Sequence, residues 1–227
     1  MRYYILKRNP ADMGCVPQAE IVQPYNFNLL NSIRYAHNKG LLDILSVPQH
    51  IDFKHHAKPT DLLSSATISG PYLLISPALM EIFKKHRMPG YYAYPVKISK
   101  RTKVFDYFIY IQNYRFIEFI KLDTCNAFIA TRRENWREGP DILEPIRLNS
   151  VDDFNRLNER LPSNQYLVIK NYELNTDKIE LDLFLLAYQI QKAVGYVVSE
   201  KLKEAIEAEN MTGIAFEEFP DERHKVV

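Results

Sequence analysis

Hydrophobic and polar positions change over in short blocks along this chain, and the blocks predict more strands than helices. Residues 2–7 place Tyr-Tyr-Ile-Leu between charged ends and predict an opening strand. Residues 9–24 contain three prolines among small and polar residues, which predicts an irregular connection. In residues 26–39, Phe27, Leu29, Leu30, Ile33 and Ala36 recur at three-to-four spacing. That spacing predicts a helix, with Asn26 as its cap and Gly40 as its stop. Residues 41–58 show no clear period.

A sharper pattern starts at Pro71. Tyr72-Leu73-Leu74-Ile75 is a short apolar run. Ser76 follows at an N-cap position, and Pro77 follows as the first helical residue, where its missing N–H costs nothing. Leu79, Met80, Ile82 and Phe83 form an apolar face opposite Glu81, Lys84 and Lys85. The helix stops near Met88-Pro89-Gly90, and residues 91–98 predict another strand. The pattern recurs near the C-terminus: Tyr196-Val197-Val198, the Ser199 cap, a face of Leu202, Ala205 and Ile206, a stop at Met211-Thr212-Gly213, then Ile214-Ala215-Phe216. Without a gap, Ser76 aligns with Ser199, Leu79 with Leu202, Glu81 with Glu204, Met88 with Met211 and Gly90 with Gly213. One strand–helix–strand unit therefore occurs twice.

The middle of the chain is β-rich. Residues 104–111 predict a long aromatic strand, 115–122 an alternating one around Phe116-Ile117-Glu118-Phe119, and 125–131 a third. Residues 132–141 predict a charged loop around Trp136. Residues 151–161 predict a helix capped at Asn149-Ser150, and 166–171 and 179–187 predict strands. In the last of these, Asp182 is one polar residue among Leu181, Leu183, Phe184 and Leu185. No Pro/Gly/Ser linker divides the chain. The expected fold is α+β: one domain spanning residues 1–227, with a mixed or mostly antiparallel sheet flanked by a few helices.

Composition narrows the functional classes. The 29 basic and 28 acidic side chains leave a formal net charge of +1, which excludes long-range steering of the whole protein toward nucleic acid or anionic membrane. Cys15 and Cys125 form no metal or redox spacing and suggest a reducing compartment. No apolar run approaches a membrane span or a signal-peptide core. The expectation is a soluble, cytoplasmic protein. Fifteen tyrosines and twelve phenylalanines against seven glycines suit strands and interfaces alike.

Candidate chemistry is sparse. None of the seven glycines falls in a phosphate-binding loop or a nucleophile elbow, and there is no His-Glu-x-x-His pair. His50, Asp52, His55 and His56 are acceptable ligand types for zinc, which would make a metal-dependent hydrolase. Neighbouring Lys54 and Lys58 oppose a cation there, and a polar loop facing water is the simpler account. Cys125 lies in an apolar strand context that favours an inert core thiol over a nucleophile. Lys97, Lys100, Arg101 and Lys103 form a basic turn, expected as a solvated hairpin tip; a nucleic-acid module is the alternative. Candidate partner contacts are the loop around Trp136, with Arg133 and Arg137, and the acidic C-terminal residues Glu217, Glu218, Asp221 and Glu222.

These segments, taken in order, resemble a known family. The residues that carry the likeness are the Tyr-Tyr-x-Leu opening, Thr60-Asp61-Leu62-Leu63, Leu74-Ile75-Ser76-x-x-Leu79 leading to Tyr94-Pro95-Val96, and Phe116-Ile117-Glu118-Phe119. The closing run, Val197-Val198-Ser199-Glu200-Lys201-Leu202-Lys203-Glu204-Ala205, ends in Thr212-Gly213-Ile214-x-Phe216. The chain resembles the bacterial polymorphic-toxin immunity proteins, once catalogued only as a domain of unknown function. Members usually carry aspartates in the central segment, where this chain has Glu118. The resemblance implies a non-catalytic protein that binds and neutralises a cognate toxin. It carries over no catalytic residues; the expectation is no cofactor, no membrane partner and, from the balanced charge, no nucleic-acid partner, with self-association left open.

Overall fold

The computed structural model describes residues 1–22, 24–33, 35–36, 40–65, 67–68, 71–114, 116–131, 141–170, 172–186 and 195–219. They form an α+β fold with thirteen strands in three mostly antiparallel sheets and four α-helices. The chain divides into two compact units. The first comprises Met1–Tyr114, Leu181–Leu185 and Gly195–Glu217; the second comprises Arg115–Glu180, Leu186–Val194 and Glu218–Val227.

In chain order the first unit begins with β1 (Tyr3–Arg8), α1 (Pro10–Met13), β2 (Ala19–Ile21), β3 (Ile51–Phe53), β4 (Leu62–Leu63) and β5 (Leu73–Ile75). It continues with α2 (Pro77–Lys84), β6 (Tyr91–Lys100) and β7 (Lys103–Gln112). The second unit holds β8 (Asn126–Thr131), β9 (Asp141–Ile146), α3 (Val151–Arg160) and β10 (Gln165–Lys170). The chain then returns to the first unit for β11 (Leu183–Leu185), β12 (Tyr196–Ser199), α4 (Glu200–Ala208) and all but the last residue of β13 (Ile214–Glu218).

The first unit contains a six-stranded sheet ordered β2-β3-β6-β7-β5-β4 and a four-stranded sheet ordered β11-β12-β1-β13. The strand–helix–strand unit is present twice, as β5-α2-β6 and β12-α4-β13, and the likeness extends to the sheets around it. The run β4-β5-β7-β6 corresponds strand for strand to β11-β12-β1-β13. Leu62 pairs with Ile75 as Leu183 pairs with Val198. Ile75 pairs with Phe108 as Val198 pairs with Tyr4. The N-terminal strand thus takes beside β12 the place that β7 takes beside β5, and Tyr3-Tyr4-Ile5-Leu6 falls in register with Tyr107-Phe108-Ile109-Tyr110.

Local chemistry builds both helices in the same way. Ser76 and Ser199 are extended N-caps whose hydroxyls accept from Leu79 N at 3.1 Å and Leu202 N at 3.2 Å. Each hydroxyl also donates to an aspartate just before the neighbouring edge strand: Ser76 to Asp61 at 2.7 Å, Ser199 to Asp182 at 2.8 Å. The second oxygen of each aspartate reaches the far end of the other helix. Asp61 Oδ2 accepts from Thr212 N and Oγ1 at 2.8 and 2.9 Å. Asp182 Oδ2 accepts from Arg87 N at 3.0 Å. Two carboxylate clasps thereby join the start of each helix to the end of its partner. Gly213, at φ +77°, lies where an added Cβ would stand 2.6 Å from Thr60 Oγ1. Gly90 has no such left-handed conformation, so the two glycine stops are not equivalent.

Side-chain alternation divides the core. Tyr110, Leu79, Phe83, Leu183, Tyr196, Leu202 and Ile206 pack on the helix side of the six-stranded sheet. Ile109, Ile111, Val96, Ile98 and Ile51 pack on its other face, beneath Tyr25, Ile33, Leu42 and Tyr72. Two fully buried glutamines hold the seams. Gln112 donates to Tyr110 Oη and Leu183 O at 3.1 Å and accepts from Leu185 N at 2.7 Å, tying β7 to β11. Gln18 donates to Lys58 O at 2.7 Å and Thr60 Oγ1 at 2.9 Å, and accepts from Ser64 N at 2.9 Å. With its amide fully partnered, each glutamine escapes the cost of a buried orphan.

In the second unit, β10-β8-β9 form an antiparallel sheet with a bulge between Ile129 and Ala130. Leu167, Val168, Ile169, Ala127 and Ala130 are buried in it, with Leu167 and Ile169 on one face and Val168 on the other. Ser150 caps α3, its hydroxyl accepting from Asp153 N at 3.1 Å.

Three expectations fail. The described residues of 26–39 form turns instead of a helix: Asn26 Oδ1 accepts from Asn28 N at 3.0 Å, and Ser32 bridges to Ser46, leaving Leu29 and Leu30 exposed. Asparagine's local hydrogen bond competes with the helical one here. The described residues of the expected strand at 115–122 form a turn segment with isolated bridges, Phe116 with Leu186 and Ile120 with Leu174. In the 9–24 connection, Asn9 caps the short helix α1.

Candidate partner-binding surface

Strands β6 and β7 form a long hairpin that pairs from Tyr91 with Gln112 to Lys100 with Lys103. The loop between them is Arg101-Thr102, and Arg101 takes φ +57°, a conformation costly for a residue with a Cβ. Lys100 and Lys103 face each other directly as like charges, which disfavours the pairing. Val104, next along, is 59% exposed, an apolar side chain among cations.

A second loop reaches the same tip. β3 runs parallel to β6, Ile51 with Ile98 and Asp52 with Ser99, so the chain leaving Phe53 arrives beside Lys100. The Lys100 ammonium donates to the Ala57 carbonyl, holding the turn at residues 54–58. In that turn His55 and His56 are exposed and meet edge to face at 4.5 Å. Lys58 is anchored by its backbone, donating to Met13 O at 2.8 Å, with its side chain outside. Two nearby carboxylates are engaged elsewhere: Glu20 with Lys54 at 3.2 Å, Asp106 with Lys97 at 3.9 Å. Among the described residues Lys58, Arg101 and Lys103 have no carboxylate partner.

The other candidate residues fall as follows. His50, Asp52, His55 and His56 do not converge: among the described residues no three His, Cys, Asp or Glu side chains are grouped to hold a metal, and of the four only His55 and His56 touch. Cys125 donates to Leu122 O at 3.1 Å, and burial pushes its thiol up to about 11, so at neutral pH it is protonated and a poor nucleophile. Glu217 pairs with Lys7 across the β1–β13 edge, and Glu218 is exposed beside it. Trp136, Arg133, Arg137, Asp221 and Glu222 lie outside the described residues. Glu118 is half-buried in the turn segment, and its Oε2 is buried with no hydrogen-bond partner among the described residues.

The sequence did not disclose the two clasps, the two glutamines or the meeting of residues 54–58 with the hairpin tip. Asp182 within an apolar run was the one local signal for any of them. Among the described residues no helix is long and apolar enough to cross a membrane. The chain matches no protein-family model, and no curated protein is significantly similar to it.

Proposed function

We propose that this protein is a non-catalytic immunity protein that binds and neutralises a cognate bacterial toxin in the cytoplasm. The reading rests on the ordered resemblance to the polymorphic-toxin immunity proteins. One observation strengthens it: motif segments far apart in sequence close on one another. Asp61 of Thr60-Asp61-Leu62-Leu63 binds Ser76 of the Leu-Ile-Ser segment and Thr212 of the Thr-Gly-Ile-x-Phe ending. Gly213 N donates to Asp12 at 3.0 Å beside them. Three of the resembling segments, all within the first unit, are therefore joined parts of one framework. Such a framework leaves loops and edges free to carry partner contacts, as expected of a binding protein.

The test is co-expression with a toxin-like C-terminal domain encoded by a neighbouring gene. The expected result is survival of the host together with a stoichiometric complex recovered on size exclusion. Full protection without physical association would refute the binding mechanism, and no protection would refute the immunity role.

A further inference from the structure

We infer that the basic ridge formed by the β6–β7 hairpin tip and the 54–58 turn is the docking surface for an acidic face of the toxin, an inference that rests on the function proposed above. Four observations converge. Lys100 and Lys103 are held opposite each other although like charges disfavour that pairing. Arg101 is held in a left-handed conformation between them. Lys100 reaches across to the Ala57 carbonyl, drawing a turn with exposed His55, His56 and Lys58 into the same patch. The whole chain, these cations included, carries a net charge of only +1, so this concentration of cations is local.

An acidic protein face fits the ridge better than a nucleic-acid backbone. Val104, exposed between Lys103 and the stem, supplies an apolar contact that a phosphate backbone would not use. Asp52 is exposed on the flanking strand β3. Its carboxylate would repel a phosphate backbone lying along the ridge, while a folded partner can present a cation to it. Opposed patches of this kind chiefly raise the association rate, and salt weakens the effect.

The experiment uses the 227-residue chain and the neighbouring-gene toxin domain. The variant Lys100→Glu/Arg101→Glu/Lys103→Glu is compared with Lys84→Glu/Lys85→Glu/Lys201→Glu, which makes the same charge change on the exposed sides of α2 and α4. Circular dichroism first establishes that both variants are folded. The hairpin variant should associate at least about tenfold more slowly at roughly 50 mM salt and lose that difference near 500 mM, while the helix variant stays within about threefold of the unmodified protein. Equal binding by the hairpin variant overturns the docking surface but leaves the immunity reading intact. A chain that fails to bind the toxin at all overturns that reading instead. If the hairpin variant unfolds, the single substitution Lys103→Glu is measured in its place, with a threefold loss expected and no loss counting against the ridge. Tighter, salt-sensitive binding to a short duplex or single-stranded RNA than to the toxin would replace the protein partner with nucleic acid.

Discussion

Replacing Asp182 with alanine tests whether the buried clasp holds the two helices together. The Asp182 side chain is fully buried, accepting from Ser199 Oγ at 2.8 Å and Arg87 N at 3.0 Å. Hydrogen bonds to a charged group are worth about 1.5–3 kcal/mol each, and a buried donor left without its acceptor costs about 1–3 kcal/mol. The Arg87 guanidinium, 3.7 Å away and 57% exposed, adds under about 1 kcal/mol. Asp182→Ala should therefore destabilise the fold by about 3 kcal/mol, a fall in Tm of roughly 6–12 °C for a chain of this size. Ser199→Ala removes the same hydrogen bond and the helix cap, so the double variant should cost about 1–2 kcal/mol less than the sum of the singles. Asp61→Ala provides the internal control. The clasp is analogous, with one more hydrogen bond from Thr212, but Asp61 is only half-buried, so water replaces part of what is lost and the cost should be about 1–1.5 kcal/mol. Urea denaturation followed by far-ultraviolet circular dichroism measures all four. A change below about 0.5 kcal/mol for Asp182→Ala, or a larger one for Asp61→Ala, would refute the reasoning.

The pH dependence follows from the same geometry. Burial pushes the Asp182 carboxyl up, but the Arg87 N–H, the Ser199 hydroxyl and the Arg87 and Lys201 charges together hold it below the usual carboxylate range. A carboxylate depressed in the folded state contributes stability that is complete above its unfolded value, about 3.9, and is lost as pH falls through the folded value. The difference in stability between the unmodified protein and Asp182→Asn should therefore be constant at neutral pH and shrink below about pH 4.

Three further outcomes are expected. Gly213→Ala should destabilise by at least about 2 kcal/mol in thermal melts, because the residue sits at φ +77° and its Cβ would crowd Thr60 and the Leu62 carbonyl. Gln112→Leu should cost about 2–3 kcal/mol despite adding apolar surface, since it strands Leu185 N and Leu183 O in the core; chemical denaturation reads this directly. Cys125 should react with iodoacetamide far more slowly than a free cysteine at pH 7.5, accelerating only as pH approaches about 11, in a pH–rate series followed by mass spectrometry.

Where a segment's structure depends on its own residues, the sequence alone determined it. Ser76, Pro77 and the apolar spacing after them define α2 from within, as Ser199 and Ser150 define α4 and α3, because a cap and an amphipathic face are short-range properties. The doubled unit and the hairpin with its basic turn were legible for the same reason. The 26–39 segment misled because a local hydrogen bond accepted by Asn26 competed with its helical spacing, and β9, with Pro145 and Glu144, carries almost no strand signal of its own. Only the tertiary structure set Tyr3–Arg8 into the second copy's sheet, completing a repeat that the sequence showed only as strand–helix–strand. It also brought Asp61 to Thr212 and Lys100 to Ala57. Those meetings depend on strand order and on the parallel pairing of β3 with β6, contacts between residues far apart in the chain that no local pattern encodes.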